Sequence, residues 1–169
     1  TFTNAAFTSG AASAVANYTK TDLVIDYIDP YSIAWSGTTF SEAAANNGTI
    51  STTVTLTLSN DTFVVSGAPM TATTHYTVAN VPSGLTAVVT GTSATTATIT
   101  LTGTAAAHAN ANDIANLTVT FTNAAFTSGA ASAVANYSKT DLVIDYIDPY
   151  SIAWSGTTFN EAAANNGTI

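Results

Sequence analysis

Residues 1–50 read TFTNAAFTSGAASAVANYTKTDLVIDYIDPYSIAWSGTTFSEAAANNGTI, and residues 120–169 repeat them almost unchanged. Forty-eight of the 50 positions match at a constant offset of 119, and the exceptions are Thr19 with Ser138 and Ser41 with Asn160. The chain therefore covers about 1.4 periods of a tandem array. Solenoid repeats have periods of about 20 to 50 residues, whereas this longer period is the size of a self-contained domain. The sequence predicts independent domains that follow one another along the chain.

The charge of the chain limits the partners it can have. Only 7% of the residues are charged, with ten acids, two lysines and no arginine, and the net charge is -8. A nucleic-acid partner is disfavoured because almost no basic side chains are present to neutralise phosphates. An anionic membrane surface is disfavoured for the same reason. No apolar run reaches the roughly 18 residues of a membrane span, so we expect no membrane insertion of this segment.

The pattern of apolar residues predicts strands. Between Ile50 and Leu58, Val54, Leu56 and Leu58 alternate with threonines, which is the period-two pattern of a half-buried strand. Threonine and serine make up 49 of the 169 residues, and the abundance of β-branched and aromatic residues favours a folded chain over a disordered one. About eight short strands without long helical periodicity predict an all-β fold, an immunoglobulin-like antiparallel β-sandwich.

Domain boundaries are predicted from Pro30 and its copy, because proline removes a backbone donor and ends a strand. We expect residues 32–37 to form a linker and residues 36–154 to form one complete sandwich repeat. Residues 1–35 are then the C-terminal strands of a preceding repeat, and residues 155–169 are the start of the following one. Strands separated from the rest of their sandwich are expected to expose apolar faces.

Several segments carry a resemblance to a known class of proteins: Asp22–Asp26 (DLVID), Thr39–Glu42 (TFSE), Asn46–Ile50 (NNGTI), the strand Thr52–Leu58, and Val81–Thr86 (VPSGLT). With these segments the chain resembles the tandem repeats of giant bacterial surface proteins and adhesins, which have immunoglobulin-like or Calx-beta-like sandwich units. The resemblance implies an extracellular location, on the cell surface or in a secreted filament, and calcium at the junctions between domains. The chain departs from the calcium-linked members because it lacks a cadherin-type Asp-x-Asn-Asp-Asn motif.

A calcium site at the junction is the sharpest chemical hypothesis. Calcium needs six to eight oxygen ligands, and carboxylates of acidic residues are the usual source. Three acids flank the predicted junction, and each has a copy one period later; they are Asp26, Asp29 and Glu42 with Asp145, Asp148 and Glu161. The alternative is that these acids only keep a nearly charge-free surface soluble.

Aromatic residues crowd the same junction. They are Tyr27, Tyr31 and Trp35, with the copies Tyr146, Tyr150 and Trp154. We expect them to pack between successive domains and stiffen the joint. If they are exposed instead, they suit stacking on sugars, so a carbohydrate-binding module that recognises a glycan is an alternative.

Catalysis is not indicated. His75 and His108 have no Cys, His or carboxylate at metal-ligand spacing, and the chain has no Gly-x-Ser-x-Gly motif. We therefore expect a non-enzymatic structural repeat of a bacterial surface fibre or adhesin stalk, which projects or bears load. Its partners are neighbouring identical repeats, either in the same chain or in an adjacent subunit. In the second case the alternative function is a self-assembling filament whose subunits exchange strands.

The mechanical hypothesis concerns the terminal strands. A sandwich resists pulling when its first and last strands are hydrogen-bonded to each other and loaded in shear. The sequence places these strands near Thr38–Glu42 and Tyr137–Tyr146.

Overall fold

The predicted alternation around Val54 is present in the computed structural model, which describes residues 1–8, 10–148, 151–161, 163–165 and 167. Val54, Leu56 and Leu58 are buried, and the residues between them are exposed. Because successive side chains of a strand point to opposite faces, this pattern fixes one face on the core and the other on solvent.

All strands in the described part of the chain lie between residues 31 and 145. They are β1 (Tyr31–Trp35), β2 (Thr39–Ser41), β3 (Thr53–Ser59), β4 (Ala68–Pro69), β5 (Tyr76–Ala79), β6 (Leu85–Gly91), β7 (Thr96–Gly103), β8 (Ile114–Phe121), β9 (Val134–Ala135) and β10 (Ser138–Asp145). The helical elements are single 3-10 turns at Asn4–Ala6, Ala12–Ala14, Asn110–Asn112, Asn123–Ala125 and Ala131–Ala133. No described helix has the length and apolar composition needed to cross a membrane.

The strands form two sheets, with the order β4-β6-β7-β3-β1-β9 in one and β2-β10-β8-β5 in the other. Most neighbouring strands are antiparallel, but β1 pairs with β9 and β2 pairs with β10 in parallel. Since only residues 36–38 separate β1 from β2, the start of the sandwich crosses from the first sheet to the second. The predicted all-β, two-sheet sandwich is confirmed.

The core lies between the two sheets and is built from both inner faces. Leu56 and Ile99 of the first sheet are fully buried, as are Leu117 and Leu142 of the second. Burying one such side chain contributes about 1.5–3 kcal/mol to stability. One part of the core is aromatic, with ring centroids 5.8 to 5.9 Å apart among Phe63, Phe121 and Phe126.

The prediction of a linker at residues 32–37 is wrong, because β1 occupies most of this segment. Ile33 is buried in the core, and β1 pairs with β3 from Ser32 opposite Ser59 to Trp35 opposite Leu56. The apolar side chain of Ile33 explains the difference, since a linker would leave it in water. The sandwich therefore begins at Tyr31, ahead of the expected start at position 36.

The flanking segments contain copies of strand sequences but no strands among their described residues. Residues 1–30 form two 3-10 turns, and residues 151–167 form no regular structure where they are described. Large apolar side chains are exposed in both segments, including those of Leu23, Ile28 and Phe159. The apolar side chains of these segments are exposed, but the segments do not form the strands that the domain division predicts for residues 1–30.

The chain enters and leaves the sandwich at opposite ends. At its start, β1 runs parallel to β9 and β2 runs parallel to the last strand, β10. We call the end at Pro30 and Tyr31 the N-terminal pole, and the end at residues 145–148 the C-terminal pole.

Candidate functional site

Each of the first two strands of the sandwich is hydrogen-bonded to a strand near its end, β1 to β9 and β2 to β10, so the predicted first strand near Thr38–Glu42 is the second strand of the sandwich. In the β2–β10 pair, Val143 donates its backbone N–H to the Thr38 carbonyl at 2.8 Å, and Glu42 donates to the Asp145 carbonyl at 2.9 Å. Phe40 of β2 is fully buried, which anchors this short strand against the core. The β1–β9 pair repeats the arrangement in the other sheet, so both sheets join the start of the sandwich to its end.

The Glu42 side chain connects β2 to the chain beyond the end of β10. This residue is only 3% exposed, and it is the one buried charged group among the described residues. One carboxylate oxygen, Oε1, accepts the Gly48 N–H at 2.6 Å, and the other, Oε2, accepts the Ile147 N–H at 2.9 Å. His108 Nδ1 lies 3.1 Å from Oε1. One side chain thus joins the end of β2 to the segment that follows β10.

The backbone around Gly48 requires glycine. Its φ of +79° lies in the left-handed region, and an added Cβ would come within 2.7 Å of the Ala105 carbonyl oxygen. The close approach is what allows the Gly48 N–H to point at the Glu42 carboxylate.

The hydrogen bonds to Glu42 keep it ionised despite its burial. Burial by itself would raise the pKa of Glu42, but the N–H groups of Ile147 and Gly48, together with His108, hold this pKa below its ordinary value of 4.5. Hydrogen bonds from backbone N–H groups to a carboxylate favour its charged form. The charge is therefore part of the folded structure at neutral pH.

Two further carboxylates hold the segment that leaves the sandwich. Asp113 Oδ1 accepts the Tyr146 N–H at 2.9 Å, and Asp148 Oδ1 accepts the Asn110 N–H at 2.9 Å. The Tyr146 side chain is 2% exposed, and its burial, followed by the nearby carboxylates of Glu42 and Asp113, raises its pKa. Residues 145–148 are therefore fixed on their own sandwich.

The residues predicted to bind calcium are only partly brought together. Glu42, Asp145 and Asp148 lie at the C-terminal pole, whereas Asp26 and Asp29 lie on an exposed segment without strands. Glu161 accepts the N–H of Gly167, as Glu42 does from Gly48.

One of the carboxylates predicted to bind calcium already accepts hydrogen bonds through both of its oxygens. Gly48 and Ile147 donate their N–H groups to Glu42, so a calcium ion bound there would have to share these oxygens with them. Within the described ranges, no group of three or more His, Cys, Asp or Glu side chains could hold a metal ion. The calcium site stays a prediction.

The predicted junctional aromatic residues have different environments. Tyr31 and Trp35 are half-buried against the core of their own sandwich, and Tyr146 is buried in it. The Trp35 indole N–H donates to the Asn136 carbonyl oxygen at 3.2 Å. Tyr27 and Trp154, in the flanking segments, are exposed, and Tyr150 lies outside the described residues.

Sequence reasoning missed three residues that hold the ends together: His108, Asp113 and Asn136. Asn136 has a positive φ of 61°, and its side-chain amide donates to the Ile33 carbonyl at 3.2 Å. A signal for Asn136 exists, because asparagine is enriched in the left-handed region. His108 and Asp113 act through contacts more than 30 residues distant along the chain, which no local pattern reveals.

Comparison with known proteins identifies the family. The family model described as the chitinase W immunoglobulin-like domain matches residues 5–166. The chain therefore belongs to this family of immunoglobulin-like domains, which confirms the predicted sandwich type. No curated protein and no solved structure matches the chain. An immunoglobulin-like domain is a structural or binding domain, and domains of this kind are typically not catalytic.

Proposed function

We propose that this domain is a non-enzymatic, load-bearing repeat of an extracellular bacterial surface fibre or adhesin stalk. The observation that carries the proposal is the parallel pairing of β2 with β10. Force applied at the two poles reaches β2 through β1, which is itself paired with β3 and β9, and it pulls β2 and β10 in opposite directions along their length. Their hydrogen bonds are then loaded together in shear instead of being opened one at a time.

The contacts of Glu42 and Asp113 add to this resistance. When the chain is pulled from the C-terminal pole, the segment after β10 is the first to carry load. Ile147 and Tyr146 in this segment donate their N–H groups to Glu42 and Asp113. Hydrogen bonds to charged groups contribute about 1.5–3 kcal/mol each, so these bonds oppose the peeling of the segment from the sandwich.

The repetition of the sequence supports the same role. Two copies that agree at 48 of 50 positions suit a fibre in which length and uniformity matter more than individual recognition. In this proposal one repeat occupies residues 30–148, a full period of 119 positions, and its neighbours follow directly in the same chain.

Single-molecule force spectroscopy tests the proposal. The chain is lengthened by several 119-residue periods and stretched from its ends. We expect regular unfolding peaks, each releasing about 400 Å of chain, less the length of the folded unit. The variant Val143→Pro removes the N–H that bonds to Thr38, and we expect a clear fall in unfolding force.

Val89→Ala is the matched control for this experiment. Val89 is fully buried in β6, away from the terminal strands, so its truncation lowers thermal stability without changing the β2–β10 pair. Unfolding force should fall much less in Val89→Ala than in Val143→Pro at equal loss of thermal stability. Equal falls in both variants would show that the terminal strands do not carry the load.

Two alternatives predict different observations. A filament of strand-exchanging subunits predicts one small band for the parent protein in a denaturing gel, whereas a covalent array predicts very large species. A carbohydrate-binding role, suggested by the chitinase in the family's description, needs an exposed aromatic surface. Within the sandwich Trp35 is half-buried and its N–H is bonded to Asn136, so it is less available for stacking on a sugar than a fully exposed tryptophan.

Calcium is not required by the proposed load path, because backbone N–H groups already engage Glu42. We expect a chelator to leave the melting temperature of a lengthened chain unchanged. A fall on chelation would restore the calcium hypothesis.

A further inference from the structure

The joint between consecutive repeats is very short, given the proposed covalent array. Asp148 is held on its own sandwich by the Asn110 N–H, and β1 begins at Tyr31. The copy of Tyr31 one period later is position 150. Only position 149 then separates the last fixed residue of one repeat from the first strand residue of the next. A following repeat must therefore sit directly against the C-terminal pole.

The C-terminal pole has a hollow where this neighbour would sit. The cavity has a volume of about 630 Å³ and is lined mainly by small side chains: Ala45, Asn46, Ala106, Ala107, His108 and Asn112. Ala45, Ala106 and Ala107 are exposed in the single sandwich. A concave surface of exposed alanines suits the close approach of another protein surface, because no long side chains have to be displaced.

Hydrogen bonding is also incomplete at this pole. Among the described residues, Asn46 Oδ1 is a buried side-chain atom of the hollow that has no hydrogen-bond partner, whereas His108 Nδ1 faces Glu42 at 3.1 Å. Buried polar atoms in native proteins are nearly always partnered, so a donor from a following repeat would complete the hydrogen bonding of Asn46.

We propose that the hollow is the docking site for the N-terminal pole of the following repeat, a second copy of the same sandwich. The part that would enter it is the turn at Asn60 and Asp61. Asn60 donates its side-chain amide to the Pro30 carbonyl at 3.2 Å, which places this turn beside the incoming chain. Asp61 is already bonded to the Ser128 hydroxyl at 2.6 Å and to the Thr62 N–H at 2.8 Å. The turn can therefore enter the hollow, which is lined by alanines and by the polar side chains of Asn46, His108 and Asn112, with its carboxylate already hydrogen-bonded.

The docking predicts that consecutive repeats are coupled and keep a fixed relative orientation. It gives the proposed fibre its stiffness through packing at a one-residue joint. The contacts of this docking site would be made by the alanines of the hollow, so a bulky side chain there should separate the repeats without unfolding them.

The test uses the chain lengthened by one 119-residue period, which supplies a second complete sandwich. We expect its first repeat to melt about 4 °C above the single sandwich of the 169-residue chain, as a modest coupling energy requires for a domain of this size. Ala107→Arg in the first repeat should abolish this rise and let the two repeats tumble independently in NMR relaxation. In the 169-residue chain the same substitution should leave the melting temperature unchanged, since Ala107 is exposed.

Two controls define the site. Ala107→Arg in the second repeat, which has no complete repeat after it, should keep the coupling. Ala34→Arg in the first repeat, an equal change on the exposed outer face of β1, should also keep it. Coupling that survives Ala107→Arg in the first repeat, or repeats that melt and tumble independently from the outset, would overturn the docking site. Neither result depends on the unfolding force, so the docking site and the load-bearing function can fail separately.

Discussion

Residues 1–29 and 120–148 have the same sequence except at Thr19 and Ser138, yet only the second copy forms strands. The short-range structure is the same in both. Each copy has two 3-10 turns, and in each an asparagine side chain accepts a backbone N–H eight residues later, from Ala12 to Asn4 at 2.8 Å and from Ala131 to Asn123 at 2.9 Å. These features need no partner from elsewhere in the chain.

The long-range structure differs completely between the copies. Leu142 is fully buried in β10, whereas its copy Leu23 is 75% exposed. Tyr146 is 2% exposed, whereas Tyr27 is 81% exposed. The second copy lies between β2 and β8, and the first has no such neighbours among the described residues. The comparison teaches that the turns are encoded locally, whereas strand formation depends on partners supplied by the same period.

Among the changes that distinguish the two copies, truncation of the chain should have the largest effect on stability. A chain of residues 1–137 loses β10 and with it the buried side chains of Leu142, Ile144 and Tyr146. We expect it to show no cooperative thermal unfolding in calorimetry. A chain of residues 30–169 loses only the first copy and should melt within about 1 °C of the full chain, because the removed segment adds little to the core. A large loss of stability in the second chain would mean that residues 1–29 support the sandwich.

Substituting the same leucine in each copy compares the two copies at a single position. Leu142→Ala removes a buried side chain and leaves a cavity, which should lower the free energy of unfolding by about 2–5 kcal/mol. Leu23→Ala changes the same residue of the other copy and should have almost no effect, because Leu23 is exposed. Urea unfolding curves measure both values. Similar losses in the two variants would contradict the assignment of Leu142, and not Leu23, to the core.

The contrast between local and distant contacts also explains which parts of the structure could be predicted from the sequence and which could not. The alternation in Val54–Leu58 and the repeat itself are enough to predict the sandwich and the strands β2 and β10, but they do not predict β1, the first strand. The polar contacts of Glu42 with Ile147 and His108 could not be predicted, because they join residues 105 and 66 positions apart. Trp35 was assigned to a junction for a similar reason, since its partner Asn136 lies 101 residues away.

Glu42 and its copy Glu161 give the smallest of the expected effects. Glu42→Gln keeps the shape of the side chain but removes the charge that Gly48 and Ile147 bond to, so we expect a loss of about 1.5–3 kcal/mol in the free energy of unfolding at pH 7. Glu161→Gln should cost almost nothing, since Glu161 is exposed.

The pH dependence follows from the lowered pKa of Glu42. The stability that its charge contributes is fully present above its unfolded-state pKa, near 4.5, and is lost as the pH falls through the lower folded-state pKa. The difference in urea midpoint between the wild type and Glu42→Gln should therefore shrink as the pH falls below 4.5. A difference that stays constant down to low pH would show that the charge of Glu42 does not stabilise the fold.

Hydrogen exchange of the two copies tests most directly whether strand formation depends on partners from the same period. Peptides from residues 17–27 and 136–146 are identical except at Thr19 and Ser138, so mass spectrometry can tell them apart within one sample. In the 169-residue chain the Ser138 peptide should exchange at least about a thousandfold more slowly than the Thr19 peptide. Adding one period before residue 1 should then give the Thr19 peptide the same protection. Equal protection of both peptides in the 169-residue chain, or no gain for the Thr19 peptide after the addition, would contradict the account.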